Sequence, residues 1–111
     1  MAKILNQYPA DLDKRTAYRL TRAQAKKMIE AAGSVLNPTA WVLYEDINGK
    51  SGEIQNVLTL EADGEVFGTV SKVFIREFTD AAEYFGGTPG AIKVITGETK
   101  NGRDFVSCEV V

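Results

Sequence analysis

The sequence predicts a mainly β fold, in which strands and one helix form a single domain behind a basic N-terminal segment. Two observations carry this prediction: apolar residues alternate with period two over much of residues 39–111, and glycine-containing turns separate the alternating runs. The chain has 111 residues, of which 44% are apolar, and a chain of this length buries one hydrophobic core. We therefore expect one domain, with an arm over residues 1–36 that packs on a β body over residues 37–111.

The N-terminal arm is predicted to hold two short helices, Asp11 to Leu20 and Thr21 to Ala32. Thr21 and Gln24 have the spacing of a capping box, in which each side chain bonds the other residue's free backbone N–H. Gly33 is expected to end the second helix, because glycine readily adopts the left-handed conformation found at helix ends. The arm should therefore be helical.

Three strands are predicted to follow the arm. Ala40 to Asp46 and Glu53 to Glu61 are rich in β formers, and a loop with two glycines joins them. Asp63-Gly64 is a pair favoured in tight type I′ turns, so Glu65 to Thr69 should return as a third antiparallel strand. The three strands form a meander.

A helix and a second hairpin are predicted for the rest of the chain. Ser71 is a suitable N-cap for a helix through Phe85, because apolar residues recur at three- and four-residue intervals after it. Ala91 to Glu98 and Arg103 to Val111 then flank a turn that contains Asn-Gly. The resulting order, three strands, a helix and two strands, is that of the OB-fold, a partly open five-stranded barrel that binds oligonucleotides or oligosaccharides. A β-grasp or another half-open five-stranded roll remains an alternative.

The formal net charge of −2 conceals an uneven distribution of charge. Residues 1–27 hold seven Lys or Arg and two Asp, whereas residues 28–111 hold six basic and thirteen acidic residues. A basic arm on an acidic body either serves an anionic partner or docks on its own body.

The sequence offers little material for catalysis. It has no His, and its single cysteine, Cys108, lies between Val106 and Val110 on the apolar face of the last predicted strand. The glycines match no phosphate-binding spacing. We therefore expect no enzyme activity, no cofactor and no metal site. The pattern of a signal peptide or membrane span is absent, which indicates a cytoplasmic protein without a membrane partner.

Aromatic rings near cations favour binding to single-stranded nucleic acid instead. Strand alternation places Phe105 on the outer face of the last strand, beside Arg103 and across the hairpin from Lys93 or Ile95. The predicted base-stacking residues are Tyr44, Phe67 and Phe105, and the predicted phosphate contacts are Lys50, Lys72, Lys93, Lys100 and Arg103.

The first and third predicted strands each present an aromatic residue to either side. Trp41 is expected in the core, whereas Tyr44 and Phe67 are expected to face outward, with a core position for these two rings left open. The acidic body repels phosphates, and base stacking on outward-facing rings would compensate for this repulsion. Because only unpaired bases can stack on the rings, this arrangement favours single strands over duplex DNA.

Two segments, WVLYEDINGKSGEIQNVLTLEADGEVFGTVSKVF and ITGETKNGRDFVSCEVV, contain an aromatic strand, an acidic-Gly turn before an aromatic residue, Ser-Lys opening a helix, and a Gly-ended hairpin. In these features residues 40–111 resemble the small single-stranded DNA-binding proteins of tailed phages of Gram-positive bacteria, including phages that replicate by protein priming. The resemblance implies a protein that coats exposed single-stranded DNA during phage replication, protects it from nucleases and prevents strand re-pairing. It also implies that the family's stacking tyrosines correspond to Tyr44 and, as an aromatic replacement, to Phe67.

The leading hypothesis is therefore a non-enzymatic single-stranded DNA-binding protein, with a second copy or a replication protein as an open further partner. The alternative is a phage-encoded protein-interaction module, for example an inhibitor of a host enzyme. Such a module would act through the acidic surface of residues 45–83.

Overall fold

A computed structural model describes residues 3–22, 25–47, 49–98, 102 and 104–111. The helices and strands are, in chain order, β1 (Lys3–Tyr8), α1 (Lys14–Arg22), β2 (Lys26–Lys27), a 3-10 helix (Met28–Ala31), β3 (Val35–Leu36), β4 (Pro38–Ile47), β5 (Ile54–Ala62), β6 (Glu65–Thr69), α2 (Lys72–Tyr84), β7 (Ile92–Glu98) and β8 (Asp104–Val110). The expectation of a mainly β fold is confirmed. None of the helices in these ranges has the length and apolarity needed to cross a membrane.

The strands form two sheets. The larger sheet has the order β1-β4-β5-β6-β2, in which every pair is antiparallel except β2 with β6. The smaller sheet has the order β3-β7-β8 and is antiparallel. The predicted meander corresponds to β4, β5 and β6, and the predicted second hairpin to β7 and β8, so both are confirmed.

One stretch of chain passes from the smaller sheet to the larger. β3 pairs with β7, and after Asn37 the chain continues as β4, which pairs with β5. The register shifts between Pro38 and Ala40. Proline has no backbone N–H to donate to a ladder, which suits it to such a change of partner.

The main core lies between the two sheets and α2. Trp41 packs edge-on against Phe78 with ring centroids 5.4 Å apart, and Phe78 stacks on Phe74 at 6.1 Å. The indole N–H of Trp41 donates to the carbonyl oxygen of Gly87 over 3.1 Å, so its polar group is satisfied although only 2% of the residue is exposed. The expected core position of Trp41 is confirmed.

Helix α2 begins as the sequence predicts. Ser71 is the N-cap, and its hydroxyl oxygen accepts a hydrogen bond from the N–H of Phe74 over 3.2 Å. The same hydroxyl donates to the carbonyl oxygen of Val106 on β8 over 3.0 Å. Ser71 therefore both starts the helix and ties it to the smaller sheet.

The other face of the larger sheet is covered by α1. Ala17 and Leu20 of α1 pack on Val42 and Tyr44 in a second buried cluster. Arg19 at the edge of this contact forms an ion pair with Glu61 of β5, with 2.9 Å between nitrogen and oxygen. The part of β4 that contacts α1 is thus buried on both faces of the sheet.

The predicted second helix over Thr21 to Ala32 is wrong. Thr21 belongs to the end of α1, where its hydroxyl donates to the carbonyl oxygen of Tyr18, and Gln24 lies outside the described residues. Residues 26–27 instead pair with the edge of β6, and the buried residues Met28 and Ala31 fit one 3-10 turn, in which residues three apart share a face. Strand β1 was not predicted, because its apolar residues Ile4 and Leu5 are adjacent and do not alternate with polar residues.

The sheets do not close into a barrel within the described residues. β6 is bonded to β5 and β2, and β8 is bonded to β7, so no ladder joins β6 to β8. Lys26 and Lys27 occupy the β6 edge opposite Phe67 and Gly68. Among the described residues, the β6 edge therefore pairs with β2 and not with β8.

Candidate nucleic-acid interface

The gap between β6 and β8 forms a groove of about 600 Å³ with a mainly apolar lining. We call it the seam groove, and its lining includes Lys27, Ile29, Gly68, Val70, Phe105 and Val106. The hydrogen bond from Ser71 to Val106 crosses one end of it.

The ring of Phe105 is held against the backbone of the neighbouring strand. Phe105 pairs with Gly97 across the β7–β8 hairpin. A Cβ atom at Gly97 would lie 2.7 Å from Cε1 of Phe105, so only glycine leaves room for the ring in this position. An aromatic ring that covers a glycine in this way pins the strand register and keeps its own orientation. Phe105 is half-buried and is one of the residues that line the seam groove.

A second groove of about 470 Å³ shares one lining residue, Val70, with the seam groove. We call it the helix groove, and its relevant residues are Ile54, Gln55, Val70, Lys72 and Arg76. Lys72 and Arg76 lie four residues apart on α2, so they share a face of the helix. Ile54 and Val70 are exposed apolar side chains at its rim.

The combined lining is basic although the protein is acidic. The described residues that line the two grooves include Lys27, Lys72 and Arg76 against one carboxylate, Glu53. Arg76 also contacts Glu77 over 3.4 Å, an exposed pair that contributes little to stability and leaves the guanidinium accessible. The grooves therefore combine one fixed aromatic ring, apolar walls and three cations.

Three of the predicted cations can be placed. Lys72 lies in the helix groove, and Lys50 is exposed in the loop between β4 and β5. Lys93 lies on β7 between Val35 of β3 and Glu109 of β8, away from both grooves. Lys100 and Arg103 lie outside the described residues, as does most of the predicted Thr99 to Gly102 turn.

The expectation that Tyr44 and Phe67 face outward is wrong. Tyr44 is 7% exposed because α1 covers its face of the larger sheet, and Phe67 is 5% exposed on the opposite face, in the main core. The two rings therefore cannot form one stacking surface with each other, and neither lines the grooves. The alternation of Tyr44 with Val42 and Ala40 is the signal that this face is covered.

The grooves contain residues that the sequence reasoning did not single out. Lys27 lies in the seam groove because β2 pairs with β6, and no local sequence pattern indicates this pairing. Arg76 had a readable signal, since it follows Lys72 by one helical turn, away from the buried Phe74 and Phe78.

Cys108 lies in the main core, as predicted. Burial, with a smaller contribution from the charge of Glu77, raises the pKa of its thiol to about 12. The side chain is therefore a neutral thiol near pH 7. Because the thiolate is the nucleophilic form of cysteine, Cys108 is not placed to act as a nucleophile.

Comparison with protein family models, with curated proteins and with solved structures found no match to this chain. The resemblance to phage single-stranded DNA-binding proteins therefore stays a prediction.

Proposed function

We propose that this protein binds single-stranded DNA along the neighbouring seam and helix grooves, without catalysis. The observation that carries the proposal is the placement of Phe105 and of three cations, Lys27, Lys72 and Arg76, in two grooves that share the lining residue Val70. Bases of any sequence can stack on an aromatic ring, while nearby cations bind the phosphates. In the role implied by the resemblance, the protein would coat exposed strands during phage replication.

The strand connections support an opened relative of the OB-fold as the scaffold. The stretch β3–β4 pairs with both β5 and β7, the meander follows, and α2 separates β6 from the final hairpin. The OB-fold is a partly open barrel. Here the opening would lie between β6 and β8, where the seam groove is found.

The expected energies are modest. Stacking of one base on Phe105 contributes about 1–3 kcal/mol, which corresponds to about 5- to 150-fold in Kd. Three phosphate contacts on a single strand give a slope of log K against log salt of about −2. Binding should therefore be weak and strongest at low salt.

Fluorescence anisotropy with labelled oligo(dT) tests the proposal. Trp41 is buried, so quenching of its emission would be an insensitive readout. Phe105→Leu keeps an apolar side chain but removes the ring, and we expect it to raise Kd at least about 5-fold. The matched control is Tyr84→Leu, which removes an 82% exposed ring outside both grooves.

Two results would count against the proposal. Absence of any anisotropy change at low salt would remove the DNA-binding function itself. Binding that Phe105→Leu and Lys72→Gln/Arg76→Gln leave unchanged would show that the grooves are not the site. Lys93→Gln tests the predicted phosphate contact on β7, which lies outside both grooves. If the grooves are the binding site, this substitution should change the Kd for oligo(dT) little.

A second candidate function, the protein-interaction module, is favoured by one specific surface. Tyr84 and Phe85 at the end of α2 are exposed, with ring centroids 5.1 Å apart, and Asp80 and Glu83 are exposed beside them. Exposed rings among carboxylates fit a basic protein surface. A host protein captured by the wild type and by Phe105→Leu, but not by Tyr84→Ser/Phe85→Ser, would favour this function over DNA binding.

A further inference from the structure

Helix α1 presents a strongly basic outer face. Its nine residues include Lys14, Arg15, Arg19 and Arg22 and no acidic residue. Arg19 pairs with Glu61, whereas none of the other three lies within ion-pair distance of a carboxylate among the described residues. This face therefore has three cations available to an external anion.

The carboxylate of Asp13, the residue directly before α1, forms hydrogen bonds with the first turn of the helix. It accepts hydrogen bonds from the hydroxyl of Thr16 over 2.7 Å and from the backbone N–H of Arg15, also over 2.7 Å. These bonds, together with the charge of Arg19, lower the pKa of Asp13, so it stays ionised at neutral pH without forming an ion pair with the outer cations.

An exposed aromatic ring lies among these cations. Tyr18 is 64% exposed, and the guanidinium carbon of Arg22 lies 5.3 Å from its ring centroid. This cation–π contact covers one side of the ring and orients it. The other side remains available for a planar group such as a base.

A groove of about 630 Å³ lies beside the ring, between β1 and α1. Ile4, Leu12 and Ala17 give it apolar walls, and Lys14 and Arg22 stand at it with Tyr18. Apolar and aromatic walls next to unpaired cations match the alternation of bases and phosphates in a single strand.

The C-terminal end of α1 is close in sequence to the lining of the seam groove. The helix ends at Arg22, and the chain then reaches Ala25 and Lys27, which line the seam groove. At 1.5 Å per residue α1 is about 13 Å long, which is the length of about four stacked nucleotides.

We infer that the outer face of α1, with Tyr18, Lys14, Arg15 and Arg22, is a second contact surface for the same single-stranded DNA. Tyr18 stacks on a base and the three cations bind phosphates, so the strand runs from α1 past Lys27 into the seam groove. The inference rests on the proposed function for its ligand, but it concerns a different surface.

The salt dependence of oligo(dT) binding tests the inference quantitatively. Six phosphate contacts predict a slope of about −4 for the wild type, and Lys14→Gln/Arg15→Gln/Arg22→Gln should reduce it to about −2. The control Lys14→Arg/Arg15→Lys/Arg22→Lys keeps the charges and should keep the wild-type slope. Tyr18→Leu should raise Kd at least about 5-fold, and photo-crosslinking to a halogenated oligonucleotide should label the Tyr18 peptide.

The outcomes separate the two surfaces. An unchanged slope and affinity in the triple Gln variant, with its far-ultraviolet circular dichroism intact, overturns the role of α1 and leaves the grooves untouched. Loss of binding in that variant, with Phe105→Leu and Lys72→Gln/Arg76→Gln unaffected, supports α1 and overturns the grooves. A wild-type protein that fails to bind oligo(dT) overturns both.

Discussion

Replacement of Gly97 by Ala tests whether contact with the β7 backbone holds the Phe105 ring in the seam groove. A Cβ atom at this position would lie 2.7 Å from Cε1 and 3.3 Å from Cε2 of Phe105, inside normal van der Waals contact. Gly97 lies in β7, which pairs with β8 along its whole length and with β3 at Ile92 and Lys93, whereas Phe105 is half-buried on the edge strand β8. The side-chain ring is the partner that should move, and we expect it to leave the orientation that it has in the wild type.

The expected effects on stability and on binding differ in size. Ala in place of Gly stabilises by about 0.4–1 kcal/mol through the unfolded chain, while loss of an aromatic cross-strand contact costs about 0.2–1 kcal/mol. The free energy of unfolding should therefore change by less than about 1 kcal/mol. Loss of one stacking ring removes about 1–3 kcal/mol of binding, so the Kd for oligo(dT) should rise about 5- to 150-fold.

Urea unfolding and oligo(dT) anisotropy on the same samples provide the two measurements. Gly49→Ala is the matched control, because a Cβ there meets no atom within 4 Å. If Gly97→Ala binds as tightly as the wild type while Phe105→Leu binds weakly, the contact at Gly97 does not position the ring. A loss of stability of several kcal/mol would show that the backbone, and not the ring, absorbs the clash.

Three further predictions concern the scaffold. Ser71→Ala removes the N-cap of α2 and the donor to the Val106 carbonyl, so the free energy of unfolding in urea should fall by about 1–3 kcal/mol. A fall of less than about 0.5 kcal/mol would contradict this role of Ser71. A pKa of about 12 for Cys108 lowers its thiolate fraction about a thousand-fold from that of a thiol with the usual value of 9.0. Disulfide reagents should therefore label Cys108 only when the protein unfolds. Fast labelling of the native protein would contradict the burial of this side chain. The pKa of Asp13 is lowered by its hydrogen bonds, first to the Thr16 hydroxyl, so its stabilising effect is present above the unfolded value of 3.8 and is lost as pH falls through the folded value. The stability difference between wild type and Asp13→Ala should accordingly shrink in urea titrations as pH falls below 3.8, and a difference that does not change with pH would contradict the ionic origin of the effect.

Short-range signals predicted much of the fold. Asp63 and Gly64 have positive φ values of 53° and 79°, as a type I′ turn requires, and the Asp-Gly pair indicated this turn directly. Ser71 likewise indicated the start of α2 through its own chemistry. In both cases the residue that carries the signal is the residue that forms the structure.

The candidate site was harder to predict, because it depends on what covers each face of a sheet. Alternation correctly separated Tyr44 from Trp41, yet α1 covers one of these faces and the main core the other. The pairing of Lys27 with Gly68 joins segments about 40 residues apart and leaves no local pattern. Phe105 and Lys72 could be found from sequence because their neighbours in β8 and α2 determine which side they face.

The pairing of β2 with β6 has a consequence for the order of assembly. The hairpins β4–β5, β5–β6 and β7–β8 join strands that are neighbours in sequence, whereas Lys3 pairs with Glu45 and Lys26 with Phe67. Loop-closure entropy favours the local hairpins first, so we expect the N-terminal segment to dock late in folding. Lys27 and the basic face of α1 both belong to that segment. The cation-rich surfaces would then take shape only in the last step, after the acidic strands and α2 have packed.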